Sequence, residues 1–281
     1  MTYTRSLITV AGTDPSGGAG IQADLQVFRD WGFHGLSVIT AIVAQNTAEV
    51  ERFEPVSAQL LWDQLVMLLE DVEPWGIKVG MIPSAAAADE LAGVLECIRD
   101  TNCIPIVFDP VMASSSSYSL QRPGTLQALE ERVIPLVDVL TPNVREAEAL
   151  LEVEIGDEDG LVDAAVELRE LGCRYVLLKA GHLPGRGAQV SDVLAGPHGV
   201  TKLEPLETVD ADVRGTGCQL SSALVAAMVE DVSIVDAANA ARRYLNDLLH
   251  TRRESIGNGR PVIVRAETDR DYLDSLWEAD E

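Results

Sequence analysis

Short apolar segments alternate with longer helical segments along most of the chain, and this alternation constrains the fold more than any other feature. The apolar segments are mostly continuous, which is typical of strands buried on both faces. Strands are predicted at Ser6–Gly12, Leu36–Ala44, Gly76–Met81, Ile104–Asp109, Asp138–Pro142 and Arg174–Gly181. Strand–helix alternation at this spacing predicts an α/β fold with a mostly parallel sheet and helices on both of its faces.

The intervening segments are predicted as helices, and two further helices end the chain. Their bounds are Ala19–Trp31, Ser57–Asp71, Ser84–Arg99, Gly124–Ile134, Val144–Leu151, Leu161–Leu171, Gly217–Val229 and Ile234–Arg252. An antiparallel hairpin is predicted around Gly196–Gly199. The sequence contains neither a low-complexity linker nor an evident repeat, so we expect residues 1–281 to form a single domain.

Charge limits the classes of partner. The 281 residues carry a formal net charge of −24, from 45 acidic and 21 basic side chains. Such a surface repels nucleic acids and anionic membranes, so we expect neither as a partner. Lysine occurs only at Lys78, Lys179 and Lys202. This balance indicates either a halophilic host, whose salt screens the self-repulsion, or a solvated acidic face combined with arginine-rich codon usage.

The cysteines indicate a reducing compartment. Cys97, Cys103, Cys173 and Cys218 form no C-x-x-C pair, and the histidines are too scattered for a zinc set. The first residues lead into a short apolar run without a signal-peptide pattern, and no apolar run is long enough to span a bilayer. We therefore expect a cytoplasmic protein with free thiols.

Ligands of parallel sheets bind beyond the carboxyl ends of the strands, and glycine-rich and polar segments follow the strands here. The first segment contains Gly18-x-Gly20-x-x-Ala23, which matches a relaxed dinucleotide-binding fingerprint. The acidic residue that this fingerprint requires after the second strand is missing, since the uncharged Gln45 stands there, and a nicotinamide enzyme is disfavoured. Asp24 either offers a carboxylate to a heterocycle or is a favourable charge near a helix start.

Three oxygen-bearing side chains follow adjacent strands. Asp109 ends an apolar strand, and Asn143 and Glu146 lie at positions i and i+3 of a helix start, so they face the same way. Such a set suits Mg²⁺, which takes few carboxylates and keeps its waters. The alternative is that Asp109 caps its strand and that Asn143 and Glu146 form a capping box.

The segment "RGTGCQLSSA" predicts an anion site. Gly215, Gly217 and the amides of the first helical turn present N–H groups without partners, and the helix dipole adds positive potential. A cysteine at this place, Cys218, is expected to have a lowered pKa. The alternative is a small buried thiol that packs a helix start. No P-loop motif occurs in the chain.

Taken together and in order, the segments "AGTDPSGGAGIQADLQVF", "TAIVAQNT", "IKVGM", "DPVM", "LTPNVREAEAL", "LLKAGH" and "GTGCQLSSA" resemble one family. They are similar to the hydroxymethylpyrimidine/phosphomethylpyrimidine kinases of thiamine biosynthesis, within the ribokinase-like superfamily. The resemblance covers about Ile8 to Leu249. It implies a three-layer α/β/α sandwich that uses ATP and Mg²⁺ to phosphorylate 4-amino-5-hydroxymethyl-2-methylpyrimidine and then its monophosphate, and it suggests a homodimer.

The resemblance also assigns roles to particular residues. Gln45 is expected to hydrogen-bond the aminopyrimidine, in a pocket lined by Asp24, Gly12 and Met81. Cys218 is expected to be the base, with Gly215 and Gly217 forming the anion hole beside it. ATP, its phosphates and Mg²⁺ are expected to contact a wider set, namely Asp109, Asn143, Glu146, Lys179, Thr216 and Arg242, with Asp109 and Glu146 holding the metal directly or through water.

The chain departs from the family pattern at four places. Arg214 stands where the family has a histidine, Ala180 replaces a glycine, and Arg242 or Arg243 replaces a lysine. The loop of residues 113–124 is unlike the usual short turn after "DPVM". Two alternatives stay open. One is a pyridoxal-type kinase of the same superfamily, against which "AQNT" argues, and the other is a pyrimidine-binding regulatory protein without activity.

Overall fold

The computed structural model describes residues 4–101, 103–112, 118–181, 191–207 and 212–265. Twelve strands are numbered here in chain order: β1 (Ser6–Ala11), β2 (His34–Ile39), β3 (Ala41–Gln45), β4 (Val50–Pro55), β5 (Gly76–Val79), β6 (Ile106–Phe108), β7 (Val139–Leu140), β8 (Tyr175–Leu178), β9 (Val193–Gly196), β10 (Gly199–Lys202), β11 (Arg253–Glu254) and β12 (Val262–Ile263).

The main sheet has eight strands in the order β10-β9-β8-β7-β6-β5-β1-β2. In this order, the six neighbouring strands β8, β7, β6, β5, β1 and β2 pair in parallel. Strands β9 and β10 add an antiparallel edge next to β8. The prediction of a mostly parallel sheet is confirmed, and the predicted hairpin lies at Gly196 and Gly199, which pair with each other. Because β1 and its neighbours run the same way, their carboxyl ends share one edge.

Within the described residues, eight α-helices cover the two faces of the sheet, in the three layers implied by the family resemblance. They are α1 (Gly20–Asp30), α2 (Ala58–Asp71), α3 (Ala85–Thr101), α4 (Thr125–Ala128), α5 (Val144–Leu151), α6 (Glu158–Arg169), α7 (Thr216–Met228) and α8 (Ile234–Thr251). After α4 the chain continues as a π turn, Leu129–Val133, and a 3-10 turn, Ile134–Leu136, so the predicted helix Gly124–Ile134 is irregular.

The alternation of side chains along β1 separates the two cores. Ile8 and Val10 pack in the core that α2, α3 and α6 cover, whereas Leu7 packs in the core that α1, α7 and α8 cover. Thr9 has the same parity as Leu7 and pairs in register with Lys78 of β5. Two polar side chains therefore point toward α1 and α7 from the middle of the sheet.

The predicted strand Leu36–Ala44 is two strands, and this prediction was wrong. The main-sheet strand ends at Ile39, and β3 pairs antiparallel with β4 in a separate two-stranded ribbon. The change of direction is held at Thr40, whose hydroxyl donates to the Met81 carbonyl at 2.7 Å. The ribbon places one face outward, since the Ile42 side chain is 55% exposed.

The segment that contains β11 and β12 packs on the turn of this ribbon. The Arg260 amide donates to the Thr47 carbonyl at 3.0 Å. A Cβ at Gly259 would lie 2.2 Å from the Thr47 carbonyl carbon, so only glycine fits there. Among the described residues, no helix has both the length and the apolar character needed to cross a membrane.

A buried ion pair joins the sheet to α1 and α7. Lys78 Nζ lies 2.8 Å from Asp24 Oδ2, and neither side chain is exposed. Asp24 also accepts hydrogen bonds from Thr9, at 2.6 Å, and from Ser222 of α7, at 2.8 Å. Burial by itself lowers the pKa of Lys78, but the charges of Asp24, Cys218 and Asp109 raise it overall above its ordinary value.

We predict that Lys78→Met destabilises the protein by about 3–5 kcal/mol, because it leaves the Asp24 carboxylate buried without its cation. Adding Asp24→Asn should recover part of that loss, since the remaining amide is neutral. Urea unfolding measures both variants. The matched control is Lys202→Met, whose exposed pair with Glu158 is screened by solvent and should contribute little to stability. Equal effects of the two lysine substitutions would contradict the prediction.

Candidate active site

The amino end of α7 meets the carboxyl end of β6 at the edge where ligands are expected. A Cβ at Gly217 would lie 3.3 Å from Asp109 Oδ2 and 3.4 Å from Lys179 Nζ. The glycine-rich turn and the carboxylate that follows β6 are far apart in the sequence, but they are in contact in the fold. Amide N–H groups and an acidic–basic pair therefore line one small volume.

Asp109 is almost completely buried and is paired with a lysine. Lys179 Nζ lies 3.0 Å from Asp109 Oδ1 and 3.9 Å from Glu146 Oε2. The Thr141 hydroxyl approaches the same Oδ1 at 3.4 Å. Burial lowers the pKa of Lys179, but Asp109 and Glu146 raise it overall, so the lysine is charged.

Glu146 is a carboxyl group with a raised pKa. Its pKa is about 7 overall, because burial raises it more than Lys179 and the hydrogen bonds with Asn143 lower it, and the Asp109 charge also raises it. A second charge near Glu146 therefore decides its protonation state at neutral pH.

Asn143 and Glu146 form the capping box of α5. The Glu146 amide donates to Asn143 Oδ1 at 3.0 Å, and the Asn143 amide donates to Glu146 Oε2 at 2.8 Å. The capping alternative is thus present in the structure. It does not exclude contact with a ligand, because no described residue donates to Glu146 Oε1.

The residues present fit a Mg²⁺ ion that keeps most of its waters. Within the described ranges, no cluster of three or more His, Cys, Asp or Glu side chains could hold a metal. Asp109 and Glu146 supply two carboxylates on either side of Lys179, which is the small number of protein ligands that Mg²⁺ uses beside nucleotide phosphates.

Cys218 lies in the first turn of α7, but its predicted low pKa is wrong. Burial raises the pKa of the thiol to about 11; Lys78 and a backbone hydrogen bond with Gly20 lower it, whereas Asp24 and Asp109 raise it. Two nearby carboxylates and the loss of water outweigh the helix terminus. The thiol is therefore protonated at neutral pH.

The two glycine-rich loops pack directly on each other. Gly215 has φ of +76°, and a Cβ on it would lie 1.9 Å from the Gly18 carbonyl oxygen. Gly20 has φ of +57°, and a Cβ there would lie 2.4 Å from the Gly12 carbonyl oxygen. A side chain at Gly215 would separate the two loops, and one at Gly20 would clash with Gly12 in the first loop, so both glycines serve close approach as well as backbone conformation. Thr216, the first residue of α7, is partly exposed beside them.

The residues expected around a pyrimidine are brought together, with one exception. A Cβ at Gly12 would lie 2.9 Å from Met81 Sδ, and Met81 packs with Ala41 and Val43 of the ribbon. Gln45, at the end of β3, donates from Nε2 to the Thr13 carbonyl at 3.0 Å.

Asp24 is the exception. Its carboxylate is fully buried under the site and is occupied by Thr9, Lys78 and Ser222, so it does not line the pocket as expected. The correction has a simple cause: α1 turns the side chain toward the sheet, where the buried ammonium of Lys78 requires a partner.

The expected contact of Arg242 with phosphate also needs correction. The side chain is 6% exposed. Its Nε donates to Asp192 at 2.8 Å and its Nη1 to the Glu204 carbonyl at 2.7 Å. Asp192 in turn accepts from the Ala180 amide at 2.8 Å. Arg242 therefore braces the chain next to Lys179 rather than facing a ligand.

His182 and residues 113–117 of the departing loop lie outside the described residues.

Sequence reasoning missed the polar residues under and beside the site. Lys78 is the one charged residue of a strand whose four residues are all buried, and a charge in that setting signals a buried partner. Asp14 was also missed. It is fully buried and accepts from Arg214 at 3.0 Å, and no local pattern indicates this contact.

The cavity at the opposite edge of the sheet has no part in this site. A space of about 460 Å³ is lined by Trp75, Cys103, Met228 and neighbouring residues, which precede β5 and β6 or end α7. This cavity lies at the amino ends of β5 and β6, whereas Asp109, Lys179 and Gly217 meet at the carboxyl edge of the sheet.

Comparison with known proteins decides the family. The model of the family described as phosphomethylpyrimidine kinase matches residues 14–263. The chain belongs to the phosphomethylpyrimidine kinase family. It is 35% identical over 277 residues to a hydroxymethylpyrimidine/phosphomethylpyrimidine kinase of Staphylococcus aureus strain MRSA252, covering 98% of each chain. The kinase family predicted from the motifs is confirmed.

Solved structures agree with this assignment. A phosphomethylpyrimidine kinase from Clostridium difficile 630 is 34% identical with a TM-score of 0.75, covering 86% of this chain and 98% of that one. A pyridoxal kinase of Bacillus subtilis, solved as an ADP complex, is 28% identical with a TM-score of 0.81, covering 93% of this chain and 97% of that one. The predicted ribokinase-like fold is therefore confirmed.

We predict that Cys218 reacts slowly with iodoacetamide at pH 7–8, because burial and two carboxylates keep the thiol protonated. In a variant whose other three cysteines are replaced by serine, the rate should rise steadily above pH 9, toward the pKa of about 11. Mass spectrometry of the alkylated peptide measures it. The exposed Cys97, kept as the only cysteine in a control variant, shows how an accessible thiol behaves. A rate plateau near pH 7 would show a thiolate instead.

Proposed function

We propose that the chain transfers the γ-phosphoryl group of ATP to 4-amino-5-hydroxymethyl-2-methylpyrimidine, and then to the monophosphate to give the diphosphate, in thiamine biosynthesis. One kinase domain of residues 1–281 carries both reactions. The contact of Gly217 with Asp109 and Lys179 supports this most strongly, since it puts an anion-binding helix terminus beside the carboxylates of a chain from this kinase family.

The phosphate end of the site combines amides with charged side chains. The amides around Gly215, Thr216 and Gly217 point along the helix axis toward the transferring group, where charge develops in the transition state. Asp109 and Glu146 hold Mg²⁺, directly or through water, and Mg²⁺ supplies the positive charge that neutralises the phosphate oxygens. Lys179 lies between the two carboxylates and faces the nucleotide phosphates, with Asn143 at the same helix start.

The acceptor end holds the heterocycle. The amide of Gln45 offers a donor and an acceptor, which matches an amino group next to a ring nitrogen. Gly12 leaves room for the ring, and Met81 contributes an apolar contact surface. The hydroxymethyl group then points toward Cys218 at the start of α7.

Cys218 accepts a hydrogen bond from the substrate hydroxyl at its sulfur. As the oxygen–phosphorus bond forms and the bond from the γ-phosphorus to ADP breaks, the hydroxyl proton passes to an oxygen of the transferred phosphoryl group, because the thiol already carries its own proton. Because the pKa of the thiol is about 11, almost no thiolate is present at neutral pH to act as a base. Phosphoryl transfer needs little help from a base, since its loose transition state leaves most of the acceleration to positioning and electrostatics. The role of Cys218 is therefore mainly to orient the attacking oxygen.

A pyridoxal-type kinase is the second candidate, favoured by the 28% identity to the Bacillus subtilis enzyme. The higher identity to pyrimidine kinases and the position of Gln45 favour the pyrimidine. A regulatory protein without activity is disfavoured by the presence of Asp109, Glu146, Gly217 and Cys218.

A coupled ATP assay tests the function. ADP release should require the pyrimidine alcohol or its monophosphate, and pyridoxal should give a much lower kcat/KM. We predict that Cys218→Ala lowers kcat by about 10²-fold, the cost of a misplaced attacking oxygen, while pyrimidine binding is retained. Calorimetric titration of the pyrimidine into the variant provides the control. An unchanged kcat would show that the thiol only packs the helix start.

We also propose a homodimer in the cytoplasm. Apolar side chains are exposed on the ribbon and on α2, with Ile42 at 55%, Leu60 at 52% and Met67 at 73%. All four cysteines are free thiols, which fits a reducing compartment. Sedimentation velocity should give twice the 30.2 kDa of one chain, and a single species of 30.2 kDa at micromolar concentration would contradict the dimer.

A further inference from the structure

Arg214 is buried between the two ends of the candidate site. It directly precedes the glycine-rich turn of α7, and its side chain is 5% exposed. Its backbone amide donates to the Pro261 carbonyl at 3.0 Å, so the segment before β12 holds it from behind. A Cβ at Gly18 would lie 3.5 Å from Arg214 Cδ, which places the arginine stem against the first glycine-rich loop.

One edge of the guanidinium is fixed by Asp14. Arg214 Nε lies 3.0 Å from Asp14 Oδ2. The same carboxylate organises the first loop, because it accepts from the Ser16 amide at 3.0 Å, from the Ser16 hydroxyl at 2.8 Å and from the Ala19 amide at 2.9 Å. The guanidinium therefore has one orientation, set by a loop that is itself held by hydrogen bonds.

The other edge of the guanidinium reaches Gln45. Arg214 Nη2 donates to Gln45 Oε1, and Gln45 Nε2 donates to the Thr13 carbonyl at 3.0 Å. With a cation on its oxygen and a carbonyl on its nitrogen, the amide cannot flip without losing both bonds. One N–H and one lone pair of the amide stay available to a ligand, in a fixed order.

We propose that Arg214 is a positioning residue that sets selectivity for the aminopyrimidine by locking the Gln45 amide in one orientation. This inference rests on the proposed role of Gln45. A locked amide matches an amino group adjacent to a ring nitrogen, which presents a donor and an acceptor side by side. In a pyridine alcohol such as pyridoxine, the ring nitrogen and the hydroxyl are separated by a methyl-bearing carbon, so they do not match the locked amide. An amide that flipped freely would bind either ring.

The bidentate shape of arginine is essential to this role. Its Nε and Nη2 bind two partners that come from different loops, Asp14 and Gln45. A lysine at the same place retains the charge next to Asp14, but its single ammonium cannot hold both partners in the same planar arrangement. Arg214→Lys is therefore the decisive variant, since it keeps the buried charge balanced while it frees the amide.

Steady-state kinetics on the full chain test the proposal, with the pyrimidine alcohol, pyridoxine and ATP varied in turn. For Arg214→Lys we expect KM for the pyrimidine to rise about tenfold, the cost of losing one oriented hydrogen bond, with kcat and KM for ATP nearly unchanged. The kcat/KM for pyridoxine should change less, so the ratio between the two substrates should fall by about the same factor. Arg243→Met, at an exposed arginine paired with Glu204, is the matched control and should behave as the wild type.

A double-mutant cycle separates positioning from a general structural role. If Arg214 acts through the amide, Arg214→Lys should add little once Gln45→Ala has removed that amide. Additive losses, an equal rise of KM for ATP, or an unchanged substrate ratio in Arg214→Lys would each overturn the inference.

A wild type that does not consume ATP with the pyrimidine would overturn the proposed function itself. If Gln45→Ala leaves KM for the pyrimidine unchanged, the role of Gln45 and this inference fail together. Thermal unfolding of Arg214→Lys accompanies the kinetics, and a native midpoint shows that kinetic losses come from the folded enzyme.

Discussion

The buried ion pair of Asp24 and Lys78 is the interaction on which the geometry of the site depends. Charges in a protein interior are tolerated only when all their hydrogen bonds are made, and Asp24 makes three, to β1, β5 and α7. Ser222, which supplies the bond from α7, lies one turn beyond Cys218. The pair therefore fixes the rotation of α7 about its own axis, and with it the direction in which the amides before Cys218 point.

Close approach of the two glycine-rich loops is the second constraint. The contact between Gly215 and the Gly18 carbonyl leaves no room for a side chain, and the Arg214–Asp14 pair closes the same junction from the side. Since one loop is expected to bind phosphate and the other to border the heterocycle, this junction sets the distance between the two parts of the substrate complex. Positioning of this kind can supply a large share of the rate acceleration of phosphoryl transfer.

The parts of this structure that local patterns encode were predictable, and those that depend on distant partners were not. The parallel sheet was predictable because strands buried on both faces are continuous apolar runs in the sequence. The ribbon of β3 and β4 was not, since "VERFEP" is polar and ends in proline. The helix terminus at Cys218 predicts a low pKa, whereas Asp24 and Asp109, which raise the pKa, come from α1 and the end of β6. The resemblance places Arg242 at a phosphate, but Asp192, 50 residues away, pairs with it.

The cations near the site are paired with carboxylates. The three described cations nearest the site each pair with an aspartate: Lys78 with Asp24, Lys179 with Asp109 and Arg214 with Asp14. Within the described part of the chain, the site therefore has no net positive side-chain charge to attract a nucleotide, in a protein whose overall charge is −24. The negative charge of the phosphates must then be met by the amides of α7 and by the cation that accompanies ATP. This explains why a helix terminus with glycines stands at the centre of the site.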